Sequence, residues 1–395
     1  MPISRHIPFL IAAAVAATLA LACAGEAFGA SAAAASSNES RATVVATGVA
    51  HLTGLAISPL LVLVALGWVD FASAGGSSAA TLPLHANPWL LIPCSAVLAL
   101  ALLKKVASPA IPLPIRKVLD AAEYFEAKLS ALVAAGVLLP TIVSTMAATT
   151  GGSAPAQAAG LASDWATYLW LAPLVVAVFL AVWISFHVVD ALVVLSPFAL
   201  LDGILVAIRG SVLALLAVAL VVSPLLALAL CVPIIVLSLL FAGWCIRLDL
   251  FALCVAGDIL LARSRSTDPG AGPARAFLAS RGLGAPIRTM GHAEPCERGV
   301  RFTYRPFFVL PRRTIELASD GGALVRGAIW STMTRAARPS PILHLPPRYN
   351  PHALRVAARF RVEPRDGILR RAWRSLRDAL DAIVPSAGPA VADDK

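Results

Sequence analysis

Charge is what this 395-residue sequence has least of. Charged side chains make up 14% of it, where an ordinary globular domain carries about a quarter. Hydrophobic residues reach 58% and mean hydropathy is +0.81. That balance excludes a chain folded in water throughout, because only lipid solvates so much apolar side chain. Cysteine pairing is also missing. The six cysteines, at Cys23, Cys94, Cys231, Cys245, Cys254 and Cys296, include no C-x-x-C and most lie in apolar runs, so neither a disulfide framework nor a zinc centre is expected. Catalytic signatures are absent as well: no G-x-S-x-G, P-loop, H-E-x-x-H or dinucleotide fingerprint occurs. The sequence therefore points to no enzyme and to no cofactor. His292, Glu294 and Cys296 alternate, but three ligands around Pro295 read as a loop, not a metal site.

The charge that is present is unevenly placed. Residues 261–395 carry 23 Lys and Arg against 11 Asp and Glu, which leaves the first 260 slightly acidic. A basic terminal block fits a cytoplasmic location through the positive-inside tendency, and contact with anionic lipid headgroups. Nucleic acid is not expected, since no binding motif accompanies the arginines, and no protein partner can be named.

Residues 1–29 read as a signal peptide or N-terminal anchor. Arg5 and His6 precede an apolar stretch over 7–23, and the small residues Ala27, Gly29 and Ala30 follow. A flexible Ala/Ser-rich segment, 30–42, leads into a helical membrane domain over 43–262. Its apolar regions are 43–69, 89–103, 129–146, 165–186 and 188–246, the last interrupted at Asp190, Asp202 and Arg209. The connections 71–88 and 147–163 contain no Lys or Arg, whereas Lys104, Lys105, Arg116, Lys117 and Lys128 cluster between the second and third regions. The cluster is thus expected inside and the two bare loops outside. After an exported N-terminus, region 43–69 then begins and ends outside, which one crossing cannot do. A broken, re-entrant helix can, and Gly48, Gly54 and Pro59 offer places to break it.

Between Arg116 and Leu132, the apolar residues Val118, Ala122, Phe125, Leu129 and Leu132 recur at helical spacing, predicting an amphipathic cytoplasmic helix that runs into the third region. Residues 210–246 carry no charge and would span about 55 Å as one helix, too long for a hydrocarbon core of about 30 Å. Either Pro224 and Pro233 divide the run into a hairpin, or 188–208 is itself a crossing and the run returns as one kinked helix.

Ala46-Thr47-Gly48, Asn87-Pro88-Trp89, Lys105-Val106-Ala107, Pro109 and Val118-Leu119-Asp120 together resemble the domain of unknown function 4126 family of bacterial membrane proteins. The resemblance covers residues 46 to about 136. It implies helical membrane architecture, and it carries no site residues because the family has no established activity. Ser-Pro steps in apolar context recur at Ser58-Pro59, Ser196-Pro197 and Ser223-Pro224, the first two after His51 and His187. Repeated broken helices of this kind build many secondary transporters.

Ionisable groups inside apolar spans are costly, so they face a packed or wet interior. His51, His187, Asp190 and Asp202 form the candidate intramembrane polar site. His187 and Asp190 are three apart on one face, and Asp202 and Arg209, seven apart, could pair. Arg247, Asp249 and Asp258 mark the exit of the last span and read as anchors.

Residues 263–276 form a turn-rich linker to a basic α+β domain, 277–395. Short β-prone runs at 300–304, 307–310, 314–317, 324–329 and 342–345 predict a small antiparallel sheet, closed by helices over 351–360 and 367–383. The apolar stripe of the second helix is expected to pack on the sheet; the alternative is a lipid contact through Arg370, Arg371, Trp373, Arg374 and Arg377. The fold class is thus mainly α: a polytopic helical membrane domain with broken, re-entrant helices, plus a small α+β cytoplasmic domain. The expected location is the bacterial inner (cell) membrane. The expected role is a membrane anchor that presents the basic domain; the alternative is a small-solute or proton transporter regulated by it.

Overall fold

The computed structural model describes residues 41–74, 82–107, 110–150, 165–263, 272–280, 284–297, 299–306, 310–318, 322–335, 340–368, 370–372 and 375. The expected signal or anchor segment lies outside them, and all but the last two residues of the expected flexible segment do too. The chain divides into two compact units, Met1–Ala252 and Leu253–Lys395.

The first unit is helical: α1 (Arg41–Ile57), α2 (Pro59–Ser73), α3 (Pro88–Ala107), α4 (Leu113–Thr150), α5 (Trp165–Leu195), α6 (Ala199–Val222) and α7 (Pro224–Leu260), whose last residues belong to the second unit. Region 43–69 is broken, at Ser58. This residue takes φ −144° and ψ 81°, and Pro59 opens α2. Proline fixes its own φ, lacks an N–H and pushes the residue before it out of the helical region. The other two Ser-Pro steps fall at the α5/α6 and α6/α7 junctions. Prolines 93, 140, 173 and 233, by contrast, sit inside helices. Both expected divisions of the long apolar run therefore need correction. It is cut at Ser223 and not at Pro233, and the preceding crossing-length helix starts at Ala199, after the break at Ser196-Pro197.

Five helices, α3 to α7, are long and apolar enough to cross a membrane. At 17 and 15 residues, α1 and α2 would reach about 25 and 22 Å, each short of a hydrocarbon core of about 30 Å. Leu55, Ile57, Leu63, Leu138, Phe179 and Leu216 are among the core residues of the unit. Gly48 serves close packing, not a break, since a Cβ there would stand 2.8 Å from Met146 Cγ of α4. Gly67 does the same for the turn before α3, where a Cβ would meet the His85 carbonyl at 2.3 Å. That approach lets His85 reach the Asp70 carboxylate at 2.5 Å.

The expected amphipathic helix is continuous with the third apolar region in α4, but its faces are reversed. Leu129 and Leu132 are 65% and 73% exposed, whereas Arg116, Lys117, Asp120 and Tyr124 are buried.

The second unit carries an eight-stranded sheet, in the order β4-β3-β2-β1-β7-β6-β5-β8, antiparallel except for the parallel β5/β8 pair. The strands are β1 (Ala274–Leu278), β2 (Met290–Cys296), β3 (Gly299–Tyr304), β4 (Arg313–Ala318), β5 (Ala323–Arg326), β6 (Ser331–Thr334), β7 (Pro341–Leu345) and β8 (Glu363–Asp366). The sheet is larger than expected because β1, β2, β6 and β8 are short or interrupted by Gly and Pro. β1 begins inside the stretch read as linker. β2 contains His292, Glu294 and Cys296, so their alternation is strand periodicity, not a loop. The expected strand at 307–310 lies mostly outside the described residues. Ala276, Ala293, Phe302, Leu343 and Met333 supply one buried face, packed with Tyr349, Val356 and Phe360 from a 3-10 turn (Pro347–His352) and α8 (Ala353–Arg359). The turn after β5 needs glycine, since a Cβ on Gly327 would stand 2.4 Å from the Trp330 carbonyl oxygen.

Candidate functional site

The ionisable side chains of the helical unit gather where α3 ends, α4 begins, α5 ends and α6 begins, together with the Asp249 stretch of α7. Lys104 of α3 donates to Asp120 at 2.5 Å and Glu123 at 2.6 Å on α4, and Lys105 lies 3.2 Å from Glu123. Lys117 reaches Asp120 at 2.8 Å and donates to the Val193 carbonyl in the last turn of α5 at 2.7 Å. Arg116 donates to the Pro197 carbonyl at 2.8 Å. A helix end leaves carbonyls without intrahelical partners, and here basic side chains of a neighbouring helix supply them.

The same chemistry closes the first break. Arg209 of α6 donates through Nε, at 2.9 Å, and through Nη2 to the carbonyl of Ile57, the last residue of α1. Its Nη1 donates to Asp190 Oδ2 on α5 at 2.7 Å. His187, one turn earlier, holds Nδ1 3.1 Å from the same carboxylate oxygen. Its Nε2 lies 3.7 Å from Asp249 Oδ1 on α7. Asp249 is itself held from α4: Tyr124 Oη donates to its Oδ1 at 2.6 Å and Lys128 Nζ to its Oδ2 at 2.7 Å. The imidazole stacks on Trp183, with centroids 5.2 Å apart and planes at 19°, and faces Tyr124 at 4.9 Å. Lys128 Nζ stands 4.6 Å above the Tyr124 ring. Two ion pairs are therefore joined through one buried histidine, and a helix-break carbonyl is attached to the same chain of contacts.

Of the residues singled out from sequence, His187 and Asp190 meet as their spacing suggested. Asp202 does not pair with Arg209; it lies in the first turn of α6, buried, beside Lys117 and Ser196, while Arg209 takes Asp190. His51 is half buried on α1, six residues, or about 9 Å of axial rise, before Ile57. Asp249 belongs to the junction and not merely to a span exit. From sequence Lys128 reads only as loop charge, and Tyr124 carries no charge to mark it. Their signal was the i, i+4 spacing off the apolar stripe of a helix whose stripe faces outward.

In the second unit Asp258 is fully buried and accepts from Arg348 through the backbone N–H at 3.2 Å, Nε at 2.8 Å and Nη2. This pins the end of α7 to the 3-10 turn. His344 of β7 hydrogen-bonds Thr332 at 3.1 Å, and burial, helped by the Arg288 charge, pushes its pKa down to about 4. Arg371 is exposed, whereas Arg370 donates to the Gly327 carbonyl at 2.8 Å. Trp373, Arg374 and Arg377 lie outside the described residues. Cys94, Cys231, Cys245, Cys254 and Cys296 are free thiols, and among the described residues no group of three His, Cys, Asp or Glu is placed to hold a metal ion.

No family model, curated protein or solved structure matches the chain. The resemblance of residues 46 to about 136 to the domain of unknown function 4126 family rests on its residues alone.

Proposed function

We propose that this is a multi-pass inner-membrane protein that anchors and organises a basic cytoplasmic α+β domain, with no catalytic role. The observation that carries this reading is that the charged side chains of the helical unit meet one another and backbone carbonyls across helices. Lys104 with Asp120 and Glu123, Arg209 with Asp190, and Lys128 with Asp249 fasten α3 to α7 together. Outward-facing leucines such as Leu100, Leu132 and Leu240, each more than 60% exposed, suit lipid and not water.

Orientation follows from the basic residues at the junction, which favour the cytoplasmic side, and the chain leaves α7 beyond that end. Met146 beside Gly48 and Arg209 on Ile57 support α1 running toward the junction. Asp70 on His85, just before α3, supports α2 running away from it. In this reading α1 and α2 form a re-entrant hairpin entering from outside, with Ser58 at its tip. The anionic inner leaflet is the expected partner of the Arg370 and Arg371 region.

A second reading, transport of a proton or small solute, is favoured by the hairpin tip meeting the His187 and Asp190 junction, since broken helices at ionisable sites build many transporters. Sealed vesicles holding the purified full chain and an internal pH dye separate the two. The anchor reading predicts proton leakage no faster than from protein-free vesicles and unchanged by Asp190→Asn. A protein-dependent flux abolished by that substitution would replace it with transport.

A further inference from the structure

His187 faces a carboxylate through each ring nitrogen, and this has a chemical consequence. A neutral imidazole has one N–H and one lone pair. Whichever nitrogen carries the hydrogen, the other points a lone pair at a carboxylate oxygen: at Asp249 Oδ1 across 3.7 Å, or at Asp190 Oδ2 across 3.1 Å. Only the doubly protonated ring offers a donor to both. Nε2 is moreover a buried nitrogen without a hydrogen-bond partner at its present distance, so a small closure toward Asp249 would complete the contact.

We propose that His187 is a proton-binding site, taking H⁺ onto the imidazole to form imidazolium and thereby linking the Arg209–Asp190 pair to the Lys128–Asp249 pair. No other bond changes; the proton comes from water by way of the carboxylates. Those side chains are 14% and 16% exposed, whereas the histidine is 2% exposed, which makes them the route in. The facing groups come from every helix around the ring. α4 supplies Tyr124 and Lys128, and α5 supplies Trp183 and Asp190. α6 supplies Arg209, acting through Asp190, and α7 supplies Asp249, with the Cys245 thiol one turn before it. Lys105 and Glu126 act on Asp190 from further off, and α1 contributes the Ile57 carbonyl that Arg209 holds. With the ring neutral, two cations face two anions; binding the proton adds one positive charge between the carboxylates, where it is best stabilised. Because Asp190 is shared by His187 and Arg209, the bound proton also bears on the contact that holds the α1 break. The site binds its proton whether the helices only anchor or also transport.

Nitrogen-15 NMR of the ring in full-length protein reconstituted in nanodiscs tests this. His187 completes the sole Phe-His pair of the sequence, Phe186-His187, so labelling Phe carbonyl carbon and His nitrogen assigns it without mutation. The expected spectrum of the reconstituted wild type shows both ring nitrogens protonated. Under the same conditions Asp249→Asn shows one protonated and one bare nitrogen. A wild-type ring with a bare nitrogen, or an Asp249→Asn spectrum unchanged from wild type, would overturn the proposal. Should Asp249→Asn fail to fold, the wild-type spectrum still decides.

Discussion

Arg209 concentrates the logic of the helical unit in one side chain. Its guanidinium satisfies a carbonyl freed by a helix break and neutralises a buried carboxylate at once, which the planar five-donor fork allows and a lysine ammonium cannot copy. Removing one partner of a buried ion pair costs about 3–5 kcal/mol, so Arg209→Ala is expected to lower the unfolding midpoint of the purified protein in detergent sharply. Arg209→Lys should recover only part of the loss, and full recovery would show that the carbonyl contact is dispensable. His344 makes a second prediction. Its folded-state pKa, about 4, lies below the ordinary value of about 6.5, so the unfolded chain binds the proton more readily. The sheet unit therefore keeps its full stability above about pH 6.5 and loses up to roughly 3 kcal/mol as pH falls through about 4. Denaturant titrations of the full chain, read on the sheet unit, should show this slope in wild type and lose it in His344→Gln. The residue pattern made the pairing of His187 with Asp190 legible, because i, i+3 spacing needs nothing beyond one helix. It could not reveal Asp249, whose partners on α4 are 121 and 125 positions away.

At the scale of elements, the broken helices were partly written in the sequence and partly hidden. The Ser-Pro steps at Ser58, Ser196 and Ser223 each end a helix, while Pro93, Pro140, Pro173 and Pro233, which follow Ile92, Leu139, Ala172 and Val232, do not. At Ser196 the hydroxyl accepts from the Phe198 N–H at 3.1 Å, a bond that competes with the helix and that an apolar residue before proline cannot make. Proline alone was therefore an unreliable signal. The reversed face of α4 has a different cause: amphipathic patterns are usually read for water, where the apolar stripe turns inward, whereas Leu129 and Leu132 face outward here. Strands β1 and β6 are not legible in the sequence because four or five residues containing small or polar side chains carry little alternation. Packing between elements gives a further prediction. A Cβ on Gly67 would collide with the His85 carbonyl at 2.3 Å and with Leu91 at 2.7 Å. Since overpacking costs typically 1–3 kcal/mol, Gly67→Ala should lower the unfolding midpoint by a corresponding margin, while Gly136→Ala, where open space awaits a Cβ, should not. Equal effects would refute the close approach of α2 to this turn.

For the whole molecule, composition and charge placement carried the division into an apolar helical part and a basic α+β part, because both follow from the solvent each surface requires. The boundary was less legible, since α7 continues past the last apolar residue of its long run and its final residues, from Leu253, belong to the second unit. The central claim is that the protein lies in the inner membrane with the loop before α3 outside and the basic sheet unit inside. Single cysteines placed at Leu84 and at Thr303 in a cysteine-free background, labelled in intact cells with a membrane-impermeant maleimide, test it most directly. The account predicts labelling at position 84 without permeabilisation and at position 303 only after it; labelling at position 303 in intact cells would contradict it.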